Sequence, residues 1–161
     1  MKKFLRLLLF LFIVVTVISC STVVFTGRNR MLLYSDNEIS SLSAQSYYEF
    51  MSTAAPSTNM VQISMIREVG RRLEAALNRY LVVKGQTQVL NGIKWEYYLV
   101  RNRQANAFCL PDGKVVFYEG IMPVLSTPDM IAVVMAHEMG HAIARHGNER
   151  MTQQTLTNLV G

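Results

Sequence analysis

The stretch that most limits what this chain can become is 134–146, VMAHEMGHAIARH, built around His137-Glu138-Met139-Gly140-His141. On a helix, two histidines four residues apart lie about one turn from each other, so both imidazoles leave the same face and can reach one metal ion. Glu138 comes one residue after His137 and leaves the helix about 100° further round. That placement suits a carboxylate that addresses a metal-bound water better than one that ligates the metal. Zinc lowers the pKa of such a water towards neutrality, and a neighbouring carboxylate can take its proton as it attacks a carbonyl. The pattern therefore predicts Zn2+ as cofactor, His137 and His141 as ligands, Glu138 as general base and peptide hydrolysis as the reaction. From Ile131 to Ala144 the only charged residue is Glu138. A core helix with two chance histidines would have no use for a carboxylate there.

The rest of the chain supplies a frame for this helix. Ser35 three residues before Glu38 predicts a capping box, and Ile39, Leu42, Ser46, Phe50 and Ala54 trace one helical face that Pro56 ends. Asn59 can cap a second helix, whose apolar face runs through Val61, Met65, Ile66, Val69, Leu73, Leu77 and Tyr80. Residues 84–92, KGQTQVLNG, read as a loop, and 93–100 as a strand. Pro111-Asp112-Gly113-Lys114 is strong turn chemistry between the short apolar segment 107–110 and the strand 115–118, which predicts a hairpin in a small antiparallel sheet. A short helical piece is expected over 119–125. Thr127, Pro128 and Asp129 mark the start of the metal-site helix, and Gly147 is its expected stop. The segment 149–160 begins a further helix.

The N-terminus has a different character. Lys2, Lys3 and Arg6 precede an apolar run from Leu7 to Ile18 that only Thr16 interrupts, followed by Ser19-Cys20. A basic start, a short apolar core and a small residue before the cut describe an export signal, and the run is short for a bilayer span. Val17-Ile18-Ser19-Cys20 resembles the lipobox of bacterial lipoproteins, which implies lipidation of Cys20 and a hold on a membrane surface. The expected organisation is a signal peptide over 1–19, a lipidated cysteine and tether over 20–34, and the N-terminal part of a metal-dependent peptidase domain, incomplete, over 35–161. The chain carries 16 basic and 11 acidic residues, net +5. Without the three basic residues of the leader, 13 face 11, or +2. No basic run remains to suggest nucleic acid. With Cys20 lipidated, Cys109 has no partner in the chain and reads as a buried, inert thiol.

Asn106-Ala107-Phe108, the Leu110-Pro111-Asp112-Gly113 turn, Tyr118-Glu119-Gly120 and the AHEMGHAIARH helix together resemble the HtpX and CAAX-prenyl-protease type of zinc metallopeptidase, in particular its exported, membrane-associated bacterial members. The resemblance implies an α+β, mainly helical zincin-like domain with a small antiparallel sheet beside the site helix. It implies His137 and His141 as zinc ligands, Glu138 as general base, and a strand near Asn106, Ala107 and Phe108 along which an extended substrate could pair. Family members often have Gly where Asp112 stands; either suits a turn. The substrates it implies are unfolded or misassembled envelope polypeptides. The place it implies is the bacterial envelope, facing the periplasm, and Ser21 after the lipidated cysteine is compatible with the outer membrane.

A catalytic zinc takes three protein ligands and keeps a fourth position open. In the resembling family the third is a glutamate on a later helix, so it is expected beyond Gly161, with this chain the N-terminal part of a longer peptidase. Local substitutes are poor: His146 lies on the far side of a continuous helix, and Ala144 and Gly147 stand where a metzincin needs Gly and His. Glu149 lies beyond the expected helix stop and could serve only by folding back. The alternative reading is a non-proteolytic chaperone-like or scaffold lipoprotein that retains the metallopeptidase fold.

Overall fold

The computed structural model describes residues 3, 4, 6, 20–23 and 26–160. Nearly all of the leader expected over 1–19 lies outside the described residues. No helix among the described residues is long and apolar enough to cross a membrane.

The order of elements is β1 (Cys20–Thr22), β2 (Asn29–Met31), α1 (Asp36–Thr53), α2 (Met60–Lys84), β3 (Glu96–Val100), β4 (Ala107–Cys109), β5 (Lys114–Tyr118), α3 (Pro128–Ile143) and α4 (His146–Val160). One 3-10 turn covers Thr87–Leu90 in the loop and another Glu119–Ile121, where a short helical piece was expected. Helix starts follow the local chemistry. Ser35 and Glu38 close the capping box, Asn59 accepts from Gln62, and Thr127 accepts from Met130 ahead of Pro128. Helix α2 stops at Gly85, whose φ of 65° is the left-handed cap that favours glycine.

The fold is α+β, and its three-stranded sheet has the order β3-β5-β4. The hairpin of β4 and β5 is antiparallel as expected, with Ala107 opposite Phe117 and Cys109 opposite Val115. Strand β3, in contrast, runs parallel to β5, with Tyr97 opposite Val115 and Leu99 opposite Phe117, so the sheet is mixed. The reason is the polar segment 101–106, which carries the chain past the middle position and leaves it for β5, whose Val115, Val116 and Phe117 are wholly buried.

Alternation along the strands feeds two cores. Tyr97, Leu99, Val115 and Phe117 pack against Ile66 and Val69 of α2 and Ile131, Met135 and Met139 of α3. Val100, Val116 and Tyr118 face the other way, onto Phe50, Met51 and Ala54 of α1. Burial on both faces explains why β5 reads as an unbroken apolar run. Each fully buried Ile or Met side chain contributes about 1.5–3 kcal/mol. Two glycine-scale details hold the layers in place. Gly70 lets the Tyr97 ring lie against α2, where a Cβ would come within 2.4 Å of it. Gly113 (φ 96°) closes the hairpin with its N–H on the Leu110 carbonyl, and a Cβ there would strike the Lys94 carbonyl oxygen at 2.6 Å.

The expected face of α1 is rotated, and that of α2 holds except at its ends. Leu42 is exposed while Ser43 is buried, because the Ser43 hydroxyl donates to Asp112 at 2.7 Å. Val61 and Tyr80 are exposed at the two ends of α2, beyond the reach of the sheet. The segment 20–34, expected to be a tether, forms the β1–β2 hairpin and then binds α4. The Leu33 N–H donates to Thr152, the Tyr34 hydroxyl meets that of Thr155 at 2.7 Å, and Asn148 donates to the Tyr34 carbonyl.

Candidate active site

Helix α3 turns Ile131, Met135, Met139, Ala142 and Ile143 into the core. That stripe leaves His137 and His141 on the solvent side and Glu138 half-buried between the two. The helix is thus buried on one side only, although its sequence is apolar on most. The Nε2 atoms of His137 and His141 stand 3.0 Å apart, with ring centroids 4.5 Å apart. Two nitrogens each about 2.1 Å from one tetrahedral zinc would be about 3.4 Å apart, so the pair needs to open by only about 0.4 Å to share an ion. Imidazole nitrogens beside a carboxylate are also the donor set such an ion prefers. Among the described residues no third His, Cys, Asp or Glu joins them in a cluster able to hold a metal.

Strand β4 lies against α3. Ala107 and Cys109 pack on the helix side, and Phe108 points the opposite way into a ring cluster with Phe50 and Tyr118, at centroid distances of 5.3 and 6.1 Å. The Tyr118 N–H donates to the Asn106 carbonyl and the Leu110 N–H to that of Lys114. By antiparallel alternation the backbone groups of Ala107 and Cys109 then face the outer edge. No strand among the described residues pairs with that edge, whereas the outer edge of β3 is met by Ala55–Ser57. Burial pushes the Cys109 thiol up to about 12, and the Glu138 and Asp112 carboxylates push in the same direction. Cys109 is therefore a protonated, unreactive thiol close to Glu138.

The C-terminal end of the site helix departs from expectation. Helix α3 ends at Ile143 and not at Gly147, with Ala144 as cap and Arg145 at φ 53°. Gly147 lies inside α4. Arg30, buried, donates to the Ala144 carbonyl, and Arg145 pairs with Asp36 at 2.7 Å. These contacts fix a left-handed turn where no glycine stands. Because the helix breaks, His146 is not on the far side of α3: its Nδ1 lies 2.6 Å from Nδ1 of His141. Glu149 does not reach the histidine pair, since Arg28 holds both of its oxygens at 2.7 Å and keeps its carboxyl below the usual carboxylate range.

The sequence alone gave no sign of Asp112 as a structural acid. It is buried, accepts from Ser43, pairs with Lys114, and its carbonyl takes the Lys94 N–H. The only available signal was its place in the turn, which explains turn formation without any side-chain partner.

A model of Peptidase family M48 matches residues 67–161, more than half of the chain and all of the site helix. The chain belongs to that family. M48 peptidases are metal-dependent, which agrees with the converging imidazoles. Among relatives, the mitochondrial metalloendopeptidase OMA1 of Saccharomyces cerevisiae is 43% identical over 75 residues, covering 45% of this chain and 22% of that protein. The OMA1 metalloendopeptidase of Homo sapiens is 24% identical over 139 residues, 84% of this chain and 25% of its own length. The beta-barrel assembly-enhancing protease of Yersinia pestis is 32% identical over 82 residues, 48% of this chain and 17% of that protein. This M48 chain thus spans a quarter or less of the length of these relatives.

Proposed function

We propose that the chain carries the histidine pair and general base of a zinc-dependent endopeptidase. The observation that carries this reading is the 3.0 Å approach of His137 and His141 Nε2 on the exposed face of α3, with Glu138 beside them. Zinc bound there would polarise the scissile carbonyl and acidify the attacking water. His137 and His141 would hold the ion, and Glu138 is the carboxylate placed to take a proton from the attacking water and return it to the leaving amine. The outer edge of β4, through the backbone of Ala107 and Cys109, pairs with an extended substrate; Asn106 and Phe108 shape its start and its far side. The third ligand, expected past Gly161, belongs to the same proposal.

The setting is proposed on other grounds. The basic start, apolar run and Ser19-Cys20 of the leader support a lipid anchor at Cys20, with the site facing the periplasm. The name of the Yersinia pestis relative, a beta-barrel assembly-enhancing protease, supports an envelope setting. The substrates would be unfolded or misassembled envelope polypeptides, and the outer membrane is the proposed site of anchorage.

The test is hydrolysis of an unfolded polypeptide by the full-length gene product, beside its Glu138→Gln variant. The variant should bind zinc as the parent does and cleave on the order of 10²–10⁴ times more slowly. Equal cleavage by both would remove Glu138 from the chemistry.

A further inference from the structure

The geometry points to His146 as the residue that positions the second histidine of the metal pair, by accepting the Nδ1–H of His141. This inference rests on the metal-site reading above and adds a residue to it.

An imidazole that gives one nitrogen to a metal carries its proton on the other, and that N–H needs an acceptor. The two nitrogens of His141 have different neighbours. Nε2 faces His137 Nε2 at 3.0 Å, and Nδ1 faces His146 Nδ1 at 2.6 Å. Only one proton fits between the two Nδ1 atoms. If His146 supplied it, His141 would carry its own proton on Nε2 and could not ligate. If His141 supplies it, Nε2 is free to ligate and His146 keeps its own proton on Nε2. Metal at the pair selects the second arrangement. His146 then acts from behind His141, on the opposite side of that ring from His137, and is not itself a ligand.

The backbone gives a second, independent observation. On a continuous helix His146 would lie about 140° round from His141, out of reach. What brings it in is Arg145 at φ 53°, a left-handed conformation that strains a residue with a side chain. The turn is over-determined by long-range contacts: Arg30 on the Ala144 carbonyl, Arg145 on Asp36, and Arg28 on Glu149 one turn into α4. Strain held in this way clusters where a side chain must be placed. Here the side chain delivered is the His146 ring, half-buried and tilted 57° to that of His141 at 4.9 Å between centroids.

The test uses the full-length protein and three substitutions, His146→Ala, His146→Phe and His146→Asn. Phe keeps volume without an acceptor, whereas Asn offers an oxygen close to where Nδ1 stands. Zinc affinity is measured by competition with a chelator, and the His141 tautomer by 15N-detected imidazole NMR of the zinc-loaded form. Removing such a partner costs about 10–100-fold in metal affinity, so Ala and Phe should lose that much and Asn should stay within a few-fold of the parent. The parent and the Asn variant should both show His141 protonated at Nδ1 and metal-shifted at Nε2. Unchanged affinity and tautomer in Ala and Phe would overturn the inference and leave the metal-site reading standing. A metal-shifted nitrogen on His146 would make it a ligand, and an Asn variant as weak as Ala would show that an acceptor at that place does not set the affinity; either result overturns the positioning role. A parent protein that binds no zinc would overturn the metal-site reading, and this inference with it. Melting of the metal-free forms separates loss of fold from loss of the bond, and the Asn variant keeps the comparison open if Phe does not fold.

Discussion

His137 and His141 turn their Nε2 atoms towards each other across one turn of α3, 3.0 Å apart, on the side of the helix that the core does not use. A metal bound by this pair should stabilise the fold by mass action, by about 4 kcal/mol at a thousandfold excess over its dissociation constant. Zinc should therefore raise the melting temperature of the full-length protein, and a chelator should reverse it. His137→Ala and His141→Ala should melt at the same temperature with and without zinc. A zinc-dependent shift that survives both substitutions would place the ion elsewhere.

Gly70 is where α2 and the sheet approach most closely. Gly70→Ala puts a methyl 2.4 Å from the Tyr97 ring, which is itself buried. The expected cost is about 1–3 kcal/mol, the range for overpacking a filled core. Denaturant melts should show a lower midpoint at unchanged slope. Gly140→Ala is the matched control, a helical glycine with no positive φ and nothing within 4 Å of its Cβ position.

Asp112 joins three segments of the chain. Asp112→Ala leaves Lys114 without its carboxylate and the buried Ser43 hydroxyl without its acceptor. Breaking a buried pair in this way costs about 3–5 kcal/mol. Ser43→Ala alone removes one neutral-to-charged hydrogen bond and should cost about 1.5–3 kcal/mol. Additive losses in the double variant, measured by urea titration, would show that Ser43 and Asp112 do not act as one network.

The Arg28–Glu149 pair should make the hold of the N-terminal hairpin on α4 depend on pH. Hydrogen bonds from Arg28, and then its charge, lower the Glu149 carboxyl in the folded protein. The contribution is therefore full above the carboxyl's ordinary range and is lost as pH falls through its lowered folded value. Hydrogen exchange of the β1 and β2 amides should be slower in the parent than in Glu149→Gln at pH 6–7, and the difference should vanish at strongly acidic pH. A difference that persists there would assign the effect to packing.

The metal-site helix and most helix starts were legible because they rest on local chemistry: a four-residue histidine spacing, a Ser35–Glu38 box, Thr127 before Pro128. The same holds for the hairpin across Asp112 and Gly113. What was not legible depends on partners far along the chain. The end of α3 reads from sequence as Gly147, the first glycine after the two histidines, yet the break falls at Arg145 because Arg30 and Asp36 hold it. Sequence alone puts His146 on the far side of a helix that runs on, and its contact with His141 follows only from that break. The parallel pairing of β3 was hidden for a related reason: strand direction is set by where the polar segment 101–106 carries the chain, which periodicity does not encode.

The hold of residues 28–34 on α4 also orders events in time. Arg28, Leu33 and Tyr34 bind Glu149, Thr152 and Thr155, each pair spanning about 120 residues of chain. On a ribosome the first of these leaves the exit tunnel long before the last has been joined to the chain. The arm must wait unpaired while α1, α2 and the sheet assemble, and its docking closes a loop that encloses nearly the whole described fold. The turn that aims His146 leans on contacts from that arm, so it is fully secured only when both ends of the loop are present.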